Sequence, residues 1–323
     1  MTRTLTKTLS TEPDMQALWK MLQTMRPAGS RTEEQFIRDW IAPLGTYEDG
    51  YGNHIIRIGK APIMWSSHTD TVHRQEGSQR IAQKAGWVKL SETEKKASCL
   101  GADCTAGVWL MREMILANVE GLYVFHREEE CGGWGSDWIA NHTPELVDGI
   151  QACIALDRKG TDSIITHQAG GRCASDAFAA SLGKMLPAYK KDETGLFTDS
   201  ANYIHLIPEC TNLSVGYEGA HTPSETLAYL HLLDLRDWLI RMDWRKLAIQ
   251  RKPEPKKART QYRAASWAAD DFDDFEPYGS RTGNYAARSV YDFVMRYPDE
   301  TADLLEQYGI GLDDLYGQFP WLR

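Results

Sequence analysis

Residues 63–70 read Ile63-Met64-Trp65-Ser66-Ser67-His68-Thr69-Asp70. The apolar run Ile63-Met64-Trp65 reads as a buried strand that delivers a histidine and an aspartate to the edge of a sheet. The pattern recurs twice. Leu122-Tyr123-Val124-Phe125 runs into Glu128-Glu129-Glu130, and Ala152-Cys153-Ile154-Ala155-Leu156 runs into Asp157. In open α/β sheets the binding crevice lies beyond the carboxyl ends of the strands, so acids repeated at strand ends converge there. Strands and helices alternate through about residue 245. The fold expected is α/β: a three-layer sandwich with a central, mostly parallel mixed sheet and helices on both faces.

The converging residues form an ordered set: His68 in SSHTD, Asp103 in GADCTAG, Glu130 in REEECGGWG, Asp157 in ALDRKG and His221 in GAHTPSE. Each alone has an ordinary reading as a cap, a turn residue or a partnered histidine. Three adjacent carboxylates beside glycines that permit close backbone approach point instead to a cation. Two divalent cations about 3.5–4 Å apart need a bridging carboxylate plus further oxygen or nitrogen ligands on each, and this set supplies those parts. On a strand, positions 68 and 70 share a side, so Asp70 is placed to accept a hydrogen bond from the distal ring nitrogen of His68.

In these motifs the chain resembles the M28 family of zinc aminopeptidases, within the wider group that includes the M20 and M42 peptidases. The resemblance spans roughly residues 10–245 and rests on HTD at 68–70, GADC at 101–104, EECGGWGS at 129–136 with the spacing EExGxxG, the aspartate of ALDRKG, the histidine of YEGAHTPSE and the upstream pair Gly52-Asn53. It implies that Asp103 bridges two zinc ions, that His68 and Asp157 complete one site, and that Glu130 and His221 complete the other. It also implies that Glu129 is the general base acting on a water between the metals, with Asp70 orienting His68. Carboxylate and imidazole ligands suit cobalt or manganese as well as zinc. Relatives have a second aspartate where this chain has Cys104, and a cis peptide bond is expected between Asp103 and Cys104. Cys104 as an extra soft ligand is the lesser alternative.

Spacing separates the relatives. M20 enzymes carry a lid domain between the equivalents of Asp157 and His221, where this chain has 64 residues, and M42 enzymes insert a domain between those of His68 and Asp103, where it has 35. The shorter gap holds a hairpin around Gly86-Trp87-Val88-Lys89-Leu90, which favours a compact M28-like body. A polar turn at Asp199 suggests a contact to a substrate amine, and Arg172 a contact to a carboxylate through its planar fork. An N-cap for Asp199 and a surface ion pair for Arg172 are the competing readings.

The function expected is hydrolysis of a peptide or small amide, foremost by an aminopeptidase. An N-acyl amino acid deacylase or carboxypeptidase-like amidohydrolase is the alternative within the group, and a catalytically silent binding protein the alternative outside it. There is no HExxH, GxSxG, GxxxxGK or GxGxxG in the chain, which removes serine-hydrolase and nucleotide readings.

The chain has 323 residues, 42% hydrophobic, with a net charge of −9. That charge disfavours nonspecific nucleic-acid binding. No run approaches the ~20 apolar residues of a membrane span, and MTRTLTKTLSTEP lacks the apolar core of a signal peptide, so a cytoplasmic location is expected. Six cysteines without a CxxC pair read as free thiols. Helices are expected over 13–25, over 30–44 with Ser30 and Glu33 as a capping box, and over 226–247. A catalytic domain is assigned to 1–248, a linker of opposed charge blocks to 249–285, and a helical segment to 286–323. Oligomeric state is left open.

Overall fold

Three strands are buried at every one of residues 63–68, 121–126 and 152–157, the mark of a sheet covered on both faces. The computed structural model describes residues 13–253. The segment assigned to 286–323 and nearly all of the 249–285 linker lie outside the described residues.

The central sheet has eight strands in the spatial order Lys190–Asp192, Ser163–Ile165, Glu209–Ser214, Ala152–Arg158, Ile63–His68, Gly121–His126, His54–Ile58 and Tyr47–Glu48. The four middle strands are mutually parallel, and antiparallel pairings adjoin them on both sides. Register decides what lies at the carboxyl edge. Ser66 pairs with Ala155 and His68 with His126, so His68 is level with Asp157, and Glu129 and Glu130 follow just beyond the neighbouring strand end.

Helix Ala102–Leu116 packs on the Ile63–His68 and Ala152–Arg158 strands and against helices Pro13–Leu22 and Tyr229–Arg241. Helix Trp134–His142 and the 3-10 turn Asp199–Tyr203 pack together, the turn resting on the middle strands. The mixed α/β sandwich expected from the alternation is therefore the fold observed. Helix 102–116 comes close to the sheet because Gly107 has no side chain: a Cβ there would lie 2.0 Å from the Leu156 carbonyl oxygen and 2.6 Å from the Cys104 sulfur.

Three helix boundaries differ from expectation. The first helix stops at Leu22, because Thr24–Met25 pairs with Gly77–Ser78. The second runs Arg31–Trp40 and passes into a 3-10 turn Ala42–Leu44, since Pro43 cannot continue an α-helix. Ser30 caps it by accepting from Glu33 N–H at 3.1 Å, but Glu33 reaches Gly29 N–H and Thr69 rather than Ser30 N–H. In the third, residues Thr226–Ala228 form a strand before helix Tyr229–Arg241, and Trp244–Lys246 is a 3-10 turn.

That strand belongs to a second sheet, ordered Tyr217–Glu218, Thr226–Ala228, Trp87–Leu90, Ile81–Lys84. It contains the expected hairpin, turned at Ala85 and Gly86, both at positive φ. Its first two strands bracket His221. All six cysteines are free, and among the described residues no helix is long and apolar enough to cross a membrane.

Gly107→Ala is expected to lower stability by about 1–3 kcal/mol through overpacking, despite alanine's better helix propensity. Thermal unfolding measures it, and an unchanged or higher Tm would contradict the close approach.

Candidate metal centre

All five sequence-assigned ligands meet at the carboxyl edge of the central sheet. His68 is fully buried, and its Nε2 lies 3.2 Å from Asp103 Oδ1 and 3.4 Å from Asp157 Oδ1. On the other side of the same aspartate, His221 Nε2 lies 3.3 Å from Asp103 Oδ2 and 3.2 Å from Glu130 Oε1. Asp103 thus presents one oxygen to each of two donor groups, His68 with Asp157 and His221 with Glu130. Glu129 stands beside them, its Oε2 4.0 Å from His68 Nε2.

The local backbone explains how the acids are held. Asp103 and Cys104 start helix 102–116 with non-helical φ/ψ and are joined by the expected cis bond. Glu225 receives all four backbone N–H groups before and at the bridging residue: Leu100 and Gly101 at 2.9 Å on one oxygen, Ala102 at 2.8 Å and Asp103 at 3.1 Å on the other. Asp70 does the same for the Glu loop, one oxygen accepting from Glu129 N–H and the other from Glu130 N–H, each at 3.2 Å. His68 Nδ1 is 3.1 Å from the Asp70 carbonyl oxygen and 3.4 Å from its carboxylate. Asp70 therefore fixes both a histidine and the loop carrying Glu129 and Glu130.

Asn53, from the upstream Gly-Asn pair, holds that loop from behind: it accepts from Arg127 N–H at 3.0 Å and donates to the Gly135 carbonyl at 3.0 Å. A Cβ on Gly135 would lie 2.3 Å from Asn53 Oδ1, which accounts for the last glycine of EExGxxG. Asp157 is fixed on three sides. Thr198 donates to its Oδ2 at 2.7 Å, its N–H donates to Asn212 at 3.0 Å, and Tyr217 donates to its carbonyl at 2.9 Å.

The electrostatics are those of closely packed carboxylates and imidazoles. Burial alone would drive His68 neutral, but Asp157, Asp103 and Asp70 outweigh it and hold its pKa well above the usual value. His221 is raised to about 10 by Asp103 and Glu130. Burial, aided by Asp103, pushes the Asp157 carboxyl up to about 7, and burial also raises Glu129 and Glu130. Asp103, by contrast, is lowered, because the two histidines outweigh its burial. Asp157 Oδ1 and Glu130 Oε1 are buried without a hydrogen-bond partner although each faces a histidine nitrogen, as metal-ligating oxygens would be. The donor set fits two divalent cations.

Three other expectations fall out differently. Cys104 lies within the same group of donors, but its thiol donates to the Leu156 carbonyl at 2.9 Å and lies 3.0 Å from the Ser67 hydroxyl. Burial pushes its pKa well up, keeping it a neutral thiol. Asp199 does not reach the cleft: it is buried, its Oδ2 3.3 Å from His126 Nδ1. Arg172 is not brought to the cleft either. It sits on a hairpin strand with its guanidinium 3.0 Å from Asp176. The cleft, about 340 Å³, carries Arg158 and Lys159 as its lysine and arginine side chains.

Comparison with known proteins comes from structure alone. No protein-family model matches the chain, and no curated protein matches it. Among solved structures, aminopeptidase PepT from Bacillus cereus is similar with a TM-score of 0.57 at 14% identity, covering 70% of this chain and 96% of that one. A tripeptidase from Staphylococcus aureus gives 0.57 at 15%, covering 70% and 96%. The Pyrococcus horikoshii TET1 peptidase gives 0.52 at 17%, covering 70% and 98%. These likenesses show a shared fold.

Two outcomes are expected. Glu225→Ala strands buried N–H groups at about 1–3 kcal/mol each, so it should lower Tm by several degrees and weaken metal binding at least roughly tenfold; wild-type metal affinity in the variant would show that Asp103 needs no such mooring. Because protons must leave His221 and Asp157 before cations enter, metal uptake should release protons and weaken as pH falls. Calorimetry in buffers of different ionisation enthalpy reads this, and a heat independent of buffer would contradict it.

Proposed function

We propose that this chain is a two-metal hydrolase of peptide or amide bonds, foremost an aminopeptidase that removes N-terminal residues. The observation that carries the reading is Asp103, each of whose carboxylate oxygens faces a separate histidine–carboxylate pair, with Glu129 alongside.

His68 and Asp157 would hold one cation, His221 and Glu130 the other, and Asp103 both. Bound there, the cations supply Lewis-acid polarisation of the scissile carbonyl and acidify water. Glu129 takes the proton of the attacking water and passes it to the leaving amine. Its pKa is raised above the usual carboxylate range. Burial is the main cause, with Asp157, Asp199 and Glu130 adding to it.

Zinc is our choice of metal, supported by imidazole and carboxylate donors that also accept cobalt or manganese. Placement with the M28 enzymes is supported by the plain hairpin between His68 and Asp103. A cytoplasmic location is supported by six free thiols. The size of the cleft favours a small substrate. Glu129 itself argues against a silent binding protein, which would have no use for a base.

Glu129→Gln should retain two metals and lose at least ~100-fold in turnover. The readout is mass spectrometry of a peptide library with free and blocked N-termini, with metal content measured in parallel. Loss of single N-terminal residues from free peptides alone establishes the aminopeptidase. Equal activity in the variant sinks the role of Glu129.

A further inference from the structure

The acids lining the cleft are Asp103, Glu129, Glu130 and Asp157, all of them already assigned as ligands or base. Their four negative charges balance two divalent cations. Arg158 is already paired with Asp192, its Nη2 3.8 Å from Oδ2, so the charge left over in the lining is that of Lys159, on a chain whose net charge is −9. Beyond the four acids the lining has no carboxylate to receive a substrate cation.

Both cations project from a fixed base. The Arg158 carbonyl accepts from Val215 N–H at 2.8 Å, the Lys159 carbonyl from Ser214 Oγ at 2.6 Å, and the following Gly160 N–H donates to the Tyr217 carbonyl at 2.8 Å. Arg158 Nη2 donates to the Thr194 carbonyl at 3.1 Å and hydroxyl at 3.0 Å, while its Nε is buried without a hydrogen-bond partner. Lys159 is exposed and has no ion pair among the described residues. The Thr194 loop that tethers Arg158 continues into Leu196 and Phe197, which supply an apolar wall.

We propose that Lys159, assisted by Arg158, binds a carboxylate of the substrate, so that the enzyme prefers short substrates with an anionic group close to the bond it breaks. This rests on the two-metal hydrolase reading. Lys159 lies two residues beyond the metal-binding Asp157, about 7 Å along an extended chain. A carboxylate held there sits one or two residues from the scissile bond. Two sources fit that distance: the free C-terminus of a di- or tripeptide, or an acidic side chain beside the bond. A charge-assisted hydrogen bond of this kind corresponds to roughly tenfold or more in binding.

The test uses zinc-loaded protein and two matched pairs. One pair is a tripeptide as free acid and as C-terminal amide. The other is an amidated peptide with glutamate or glutamine beside the scissile bond. kcat and KM are measured for wild type, Lys159→Met and Lys159→Arg, and binding of the same peptides to Glu129→Gln is followed by calorimetry.

The expected result is a preference of roughly tenfold or more for the anionic member of at least one pair, carried by KM. Lys159→Met brings the ratio near one, and Lys159→Arg keeps it. The responding pair identifies the source of the carboxylate. Equal KM for both members of both pairs, or an undiminished ratio in Lys159→Met, overturns the proposal. If no peptide is cleaved the hydrolase reading fails separately, and calorimetry still shows whether the anionic members bind more tightly.

Discussion

Mutual repulsion among carboxylates is the constraint around which this molecule is organised. Asp103, Glu129, Glu130 and Asp157 meet at the edge of one sheet with Asp70 directly behind them. Two further acids beside them are used as fasteners for backbone N–H groups. Glu225 takes four of them and Asp70 two. A buried cation helps from below: Arg26 donates to the Thr69 carbonyl at 2.6 Å and stacks on Phe36, 4.0 Å from the ring centre, its own pKa lowered to about 10 by burial against the pull of Glu33 and Asp70. The four remaining acids face one another with neither backbone nor arginine to neutralise them, and they raise the pKa of both histidines.

Sheet register turns sequence-distant residues into neighbours. His68, Asp157 and the Glu129–Glu130 pair come from three parallel strands whose ends are level, while Asp103 comes from a helix start and His221 from a different sheet. His221 has φ 65, a backbone state that a non-glycine residue rarely adopts. Its loop is closed by Thr222, which donates to the Gly219 carbonyl at 2.7 Å, and by the Glu225 N–H donating to the Thr222 carbonyl at 3.1 Å. Glu225 therefore has two mechanical roles: its backbone closes the loop that carries His221 and its side chain seats the backbone that leads into Asp103.

The middle of the sheet and the meeting of its acids at one edge were legible in the sequence because apolar runs ending in acids are local patterns, whereas the cis bond was expected only from the family resemblance. Roles that depend on side-chain direction were not. Asp199 sits in the right segment, but its carboxylate turns inward to His126. Arg172 follows two glycines, yet its nearest acid, Asp176, is only one helical turn away and captures it. Glu225 went unnoticed in GAHTPSE because its partners are more than a hundred residues earlier, although an acid four residues after a candidate ligand histidine is a signal that could have been weighed. The strand Thr226–Ala228 was read as helix for the same reason: its pairing with Trp87–Leu90 overrides local preference.

The two donor groups differ in how far they are withdrawn from solvent. The His68 side chain is 0% exposed and that of Asp157 8%, whereas the His221 side chain is 50% exposed. One half is walled in by the sheet, and the other ends in a loop open to water. Any small molecule arriving from outside, substrate or chelator, meets the loop-borne half first. The asymmetry between the two donor groups therefore lies in the histidines, one enclosed by the sheet and the other carried on an open loop.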